Sequence, residues 1–136
     1  MRALALVLAL FLGLAARAAA QEPAPPTNGW MVFFDWSKPE LRSDDQSVLD
    51  QVAAAYRARP GAHFQLAGHT DRSGTAAVNR IAGLKRAETV RAELEKRGIP
   101  RRAISLTSFG EDQPLLPTED GVREVQNRRV VISIEE

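Results

Sequence analysis

The sequence predicts an α/β (α+β) fold of two layers: a mixed sheet with helices packed on one face, in the order strand, helix, strand, helix, strand, strand. Three observations predict it. Four short stretches are apolar runs or alternate apolar and polar residues, as strands do. Two longer stretches repeat apolar residues at three- and four-residue spacing, as helices do. Proline and glycine punctuate the joints. The connections that contain helices are long enough for parallel pairing or for insertion of a strand into a mixed sheet.

The first strand is the apolar and aromatic run Trp30 to Phe34, bounded by Gly29 and Asp35. Ser43 followed by Gln46 predicts a capping box, and Val48, Leu49, Val52, Ala55 and Tyr56 continue at helical spacing until Pro60-Gly61. His63 to Ala67 alternates, with Phe64 and Leu66 on one side. After the turn-rich GHTDRSG, the proline-free span Thr75 to Arg97 predicts a long helix with Gly83, Ala87, Val90 and Leu94 on one stripe and Gly98-Ile99-Pro100 as its stop. Ile104 to Ser108 and Val130 to Ile134 alternate as two further strands. Glu111 to Gln126 between them reads as a long loop that needs a functional reason or mobility.

Ahead of this domain, expected over 30–136, residues 1–20 have the layout of a secretory signal peptide. Arg2 is followed by an apolar run to Leu14 and by small residues ending at Ala20. The run is shorter than the ~20 residues a spanning helix needs, so no membrane span is expected in the mature chain. Residues 21–29, QEPAPPTNG, read as a flexible proline-rich leader. Cleavage near Ala20 leaves 116 of 136 residues, enough for one domain. It takes Arg2 and Arg17 from 18 basic residues, leaving 16 against 17 acidic ones, a balance that argues against nucleic acid as a partner. With no cysteine, the fold has no disulfide and no lipid-modified thiol, so attachment is expected through something the protein binds.

Catalytic chemistry finds little support. His63 and His69 lie about 20 Å apart along one strand and cannot share an ion. There is no His-x-x-x-His or cysteine pattern, so neither metal nor cofactor is expected. No glycine-flanked elbow surrounds a serine that could join His69 and an aspartate in a triad. The basic residues of the long helix are interleaved with Glu88, Glu93 and Glu95, as on a solvated face.

A binding reading has more to stand on. Asp35 ends the first strand and Asp71 follows the second, both beyond carboxyl ends where such folds hold ligands. Asn79 and Arg86 are two turns apart on the long helix, with Ala82 and Gly83 leaving space between them. A carboxylate across a gap from a guanidinium suits a zwitterion, which meets a charge-assisted partner at each end. The same residues also fit a plain salt bridge, and Asp35 a turn residue. If Asp71 and Arg86 serve only a ligand, replacing either leaves thermal stability in the range of surface substitutions.

FFDWSKPEL, LAGHTDRSGT, NRIAGLKRAETVRAEL, SFGEDQP and QNRRVVISI, in that order over Met31 to Ile134, resemble the OmpA-like peptidoglycan-binding domain of outer-membrane OmpA proteins, peptidoglycan-associated lipoprotein and flagellar stator subunits. The helix motif N-x-x-L-S-x-x-R-A-x-x-V-x-x-x-L is kept at Asn79, Arg86, Ala87, Val90 and Leu94. Ala82 replaces the usual leucine and Gly83 the usual serine. The resemblance implies a non-catalytic periplasmic domain associated with the cell wall and holding the diaminopimelate of peptidoglycan stem peptides. In that family Asp71 would take the ligand's ammonium and Arg86 its carboxylate, with Asn79, the backbone around Asp35, and Arg128 completing the pocket. The alternative is an interaction module for other envelope proteins that keeps the fold with a weakened pocket.

Overall fold

A computed structural model describes residues 29–135; the expected signal peptide and nearly all of the leader lie outside them. The strands are β1 (Trp30–Phe33), β2 (His63–His69), β3 (Ile104–Gly110) and β4 (Arg129–Glu135). The helices are α1 (Gln46–Ala58) and α2 (Ala76–Lys96). The sheet order is β1-β4-β2-β3. β4 runs antiparallel to both β1 and β2, while β2 and β3 are parallel across the α2 crossover. β1, β2 and β3 therefore share one direction, and the mixed two-layer architecture is the expected one. This directionality gathers the segments after β1, β2 and β3, together with the residues entering β4, at one end of the sheet.

The core lies between the sheet and the two helices. Val32, Phe64, Leu66, Val130 and Ile132 face Leu49, Val52, Ala87, Val90 and Leu94, all fully buried. Each of these side chains larger than Ala87 contributes roughly 1.5–3 kcal/mol by leaving water. Trp30 and Tyr56 both lie 6.4 Å from the Phe64 ring in tilted geometry. The α2 stripe read from the sequence is buried as expected. Thr75 caps the helix by accepting from the Val78 N–H, 3.2 Å. At the other end Gly98 takes φ +98°, and the N–H groups of Gly98 and Ile99 donate to the carbonyls of Glu95 and Leu94, a Schellman stop.

One reading needs correction. The Ser43–Gln46 capping box does not form. A 3-10 turn, Ser43–Asp45, precedes α1 without a side-chain cap: of the two box residues Gln46 accepts from Arg97 instead, while the neighbouring Asp45 accepts from the Phe33 N–H (3.0 Å). The segment between β3 and β4 is the long connection read from the sequence, and it is tied down at several points. Asn127, fully buried, donates to the Leu116 carbonyl (2.7 Å) and accepts from its N–H (2.8 Å). The Gly121 N–H donates to the Arg72 carbonyl (2.7 Å), and Arg72 pairs with Asp120.

The departure at position 83 has a packing reason. α2 crosses β2 so closely that a Cβ on Gly68 would stand 1.9 Å from the Gly83 carbonyl oxygen, and one on Gly83 would stand 2.4 Å from Ser108 Oγ. Two glycines permit this contact, and a serine at 83 would open it.

Candidate functional site

Just before its end, β2 shifts register against β3 between Gly68 and His69: His69 faces Gly110, and Phe109 is the extra residue of a bulge in β3. Thr70 and Asp71 then leave the strand at the end of the sheet where β1 and β3 also end. Thr70, Asp71, Ser73, Asn79, Arg86 and Arg128 line one cleft there, of about 200 Å³, with Trp36 and Ser37 at its edge. Four of the five residues singled out from the sequence are thus brought together. Asp35 is not among the lining: its carboxylate is 60% exposed and faces Arg42 at 3.8 Å, while its neighbours Trp36 and Ser37 reach the cleft.

Asp71 is 3% exposed and heavily engaged. Oδ1 accepts from the Ser73 N–H (3.1 Å) and hydroxyl (2.5 Å); Oδ2 accepts from Arg128 Nη1 (2.8 Å) and the Glu124 N–H (3.2 Å). Burial alone would raise its pKa, but the hydrogen bonds from Ser73, Arg128 and Glu124 outweigh that and hold the carboxyl below its ordinary value. Arg128 also donates through Nε to the Phe34 carbonyl (3.0 Å), tying β1 to the same carboxylate. The salt bridge of Asp71 is therefore with Arg128, not with the helix arginine.

Arg86 is 5% exposed. Nη1 donates to the His69 carbonyl (3.3 Å), and the guanidinium carbon lies 5.5 Å from the centre of the Phe34 ring, a cation-π contact. Among the described residues no carboxylate lies within salt-bridge distance of it. Burial lowers its pKa to about 10, with Asp71 opposing the shift and Arg128 adding to it, so it stays charged at neutral pH. Two guanidinium groups and one carboxylate thus make the cleft a net cation, and the cation without an ion-pair partner faces the open space.

Asn79, which lines the cleft as its spacing suggested, also ties the cleft wall together. Its Nδ2 donates towards the Asp71 carbonyl (3.1 Å), the Gly74 carbonyl (3.2 Å) and Glu111 (3.1 Å), which fixes the loop after β2 to the end of β3. Two rim residues escaped the sequence reading. Trp36 donates to Ser73 Oγ (3.1 Å), and the Arg123 guanidinium lies over its ring at 3.4 Å. An exposed tryptophan next to the candidate Asp35 was the available signal; nothing local pointed to Arg123. Among the described residues no group of histidine and carboxylate side chains could hold a metal ion.

The model of the OmpA family matches residues 33–128. An outer membrane protein of Gluconacetobacter diazotrophicus is 35% identical over 113 residues, covering 79% of this chain but only 30% of that protein. A peptidoglycan-associated lipoprotein of Rhizobium meliloti is 33% identical over 123 residues, 88% of this chain and 70% of the relative. Among solved structures, the peptidoglycan-associated lipoprotein from Burkholderia pseudomallei superposes with a TM-score of 0.72 at 30% identity, over 77% of this chain and 89% of that one. The C-terminal domain of Helicobacter pylori MotB shares the fold, with a TM-score of 0.67 at 21% identity over 77% and 82% of the two chains.

Proposed function

The chain belongs to the OmpA family, and from that premise we propose that it binds peptidoglycan through the diaminopimelate of the stem peptide and associates with the wall in the periplasm. It is a binding domain and not an enzyme. The observation that carries the reading is Arg86: a buried guanidinium that keeps its charge, lacks a carboxylate partner among the described residues and lines an open cleft. A buried cation in that position is poised for an anion, and its planar fork matches a carboxylate. The ligand ammonium, held against the same zwitterionic centre, goes to Asp71. Because Asp71 already accepts four hydrogen bonds, the ammonium takes over the place of the Ser73 hydroxyl, which is free to rotate its proton elsewhere.

The names of the relatives support peptidoglycan as the partner, and the geometry supports an amino-acid head group. Co-sedimentation with purified sacculi tests both. A charge-assisted hydrogen bond is worth about 1.5–3 kcal/mol, so Arg86→Gln is expected to weaken pelleting by roughly 10- to 100-fold. Arg86→Lys keeps the charge but loses the fork and is expected to lie between. Undiminished pelleting of both variants, each checked for native melting, contradicts the proposal.

A further inference from the structure

The cleft does not end at Arg86. On its far side a second, wider groove of about 390 Å³ runs along the outer face of α2, and Ser37, Val78, Ala82 and Arg86 line both spaces. Ala82 stands at the junction, where its single methyl leaves the passage open. The groove is apolar along its floor, with Pro39 on one side and Val78 and Ile81, 59% and 58% exposed, on the other. Lys38 and Lys85 stand at its margins. Both are exposed, and among the described residues neither ammonium has a hydrogen bond or ion pair. Ile81 and Lys85 are one helical turn apart and share a stripe.

We propose that this groove holds the remainder of the peptide whose head group occupies the Asp71–Arg86 cleft, a reading that rests on the function proposed above. The occupant is the carboxyl-terminal part of the stem: small apolar residues against Val78 and Ile81, with the chain-terminal carboxylate between Lys38 and Lys85. Continuity with the cleft and the matching of a net anionic peptide end to two unpaired cations select this occupant. The two further residues are joined to the backbone centre of diaminopimelate, three methylenes from the head group, and when extended they add about 7 Å to that reach, carrying the terminal carboxylate away from the cleft. The groove thus confers a preference for longer stems, while the cleft alone recognises the head group.

Calorimetry with the full chain separates the two. The probes are free diaminopimelate, a stem tripeptide ending in it, and the pentapeptide with two further D-alanines. The pentapeptide is expected to bind about tenfold more tightly than the tripeptide, from two screened charge contacts and modest apolar burial. Lys38→Ala/Lys85→Ala, and separately Ile81→Gln, are expected to erase that preference while leaving the affinity for free diaminopimelate within about twofold. Equal affinity of the two peptides for the wild type, or an undiminished preference in the double variant, overturns the groove. Failure of the wild type to bind free diaminopimelate overturns the proposed function and the groove with it.

Discussion

Replacing Asp71 by alanine tests whether that residue is a ligand group alone or also the tie that closes the domain. The carboxylate is 3% exposed and accepts four hydrogen bonds, from the loop after β2, from the segment before β4, and from Arg128. Removing it leaves Arg128 buried with a single remaining partner, the Phe34 carbonyl, and leaves the Glu124 N–H without its acceptor. Breaking a buried pair from one side costs about 3–5 kcal/mol. That is a large part of the roughly 5–15 kcal/mol that holds a domain together. At about 4–8 °C per kcal/mol for a small domain, the melting midpoint is expected to fall by at least about 12 °C. The burial and four hydrogen bonds of Asp71 thus predict, for this residue, a cost well beyond the surface range expected from the sequence. The assay is thermal unfolding by circular dichroism at pH 7, with hydrogen exchange at the Glu124 amide as a local probe. A midpoint within about 2 °C of wild type, the range of a surface substitution, refutes the reasoning.

The other consequences are briefer. Gly68→Ala pushes a methyl into the Gly83 carbonyl and must lift α2 from the sheet; urea unfolding is expected to show a loss of about 1–3 kcal/mol. His69, buried against the Phe109 ring at 5.4 Å, has its pKa lowered from 6.5 to about 4, first by burial and then by the nearby Arg129. The unfolded chain therefore binds this proton more readily. Stability from His69 is complete above pH 6.5 and is lost progressively down to about pH 4, and an NMR titration of the ring is expected to find its midpoint near 4. Asp71, lowered from 3.8, contributes stability that is present above that value and lost as the pH falls through its lower folded value. The acid limb of the urea midpoint is therefore expected to be shallower in Asp71→Asn than in wild type.

What the sequence disclosed follows the range of the interactions concerned. The α2 stripe was legible because Asn79, Gly83, Arg86, Ala87, Val90 and Leu94 obey one helical period, and all are buried. The strand alternation at Phe64 and Leu66 and at Val130 and Ile132 was legible for the same reason. Placing Asp71 beyond a strand end needed only the order of elements. Its pairing with Arg128 spans 57 residues and leaves no local pattern; Arg128 entered only through family resemblance. The clamp of Asn127 on Leu116 spans 11 residues of one irregular segment and follows no period; the stacking of Arg123 on Trp36 joins the segments flanking β4 and β1, neighbours in the sheet but far apart in sequence. The failed capping box shows the converse. Ser43 and Gln46 carry the local signature, yet Arg97 at the end of α2 takes the Gln46 side chain instead.

The claim on which the rest depends is that Arg86 holds the carboxylate of an amino-acid head group. Its guanidinium Nε–H resonance, followed by NMR while a diaminopimelate-containing muropeptide is added, reports on that contact directly. A saturable shift of this signal, accompanied by slowed exchange of its proton, is the predicted result. An Nε–H signal that stays in place while the muropeptide binds elsewhere on the domain, or does not bind, contradicts it.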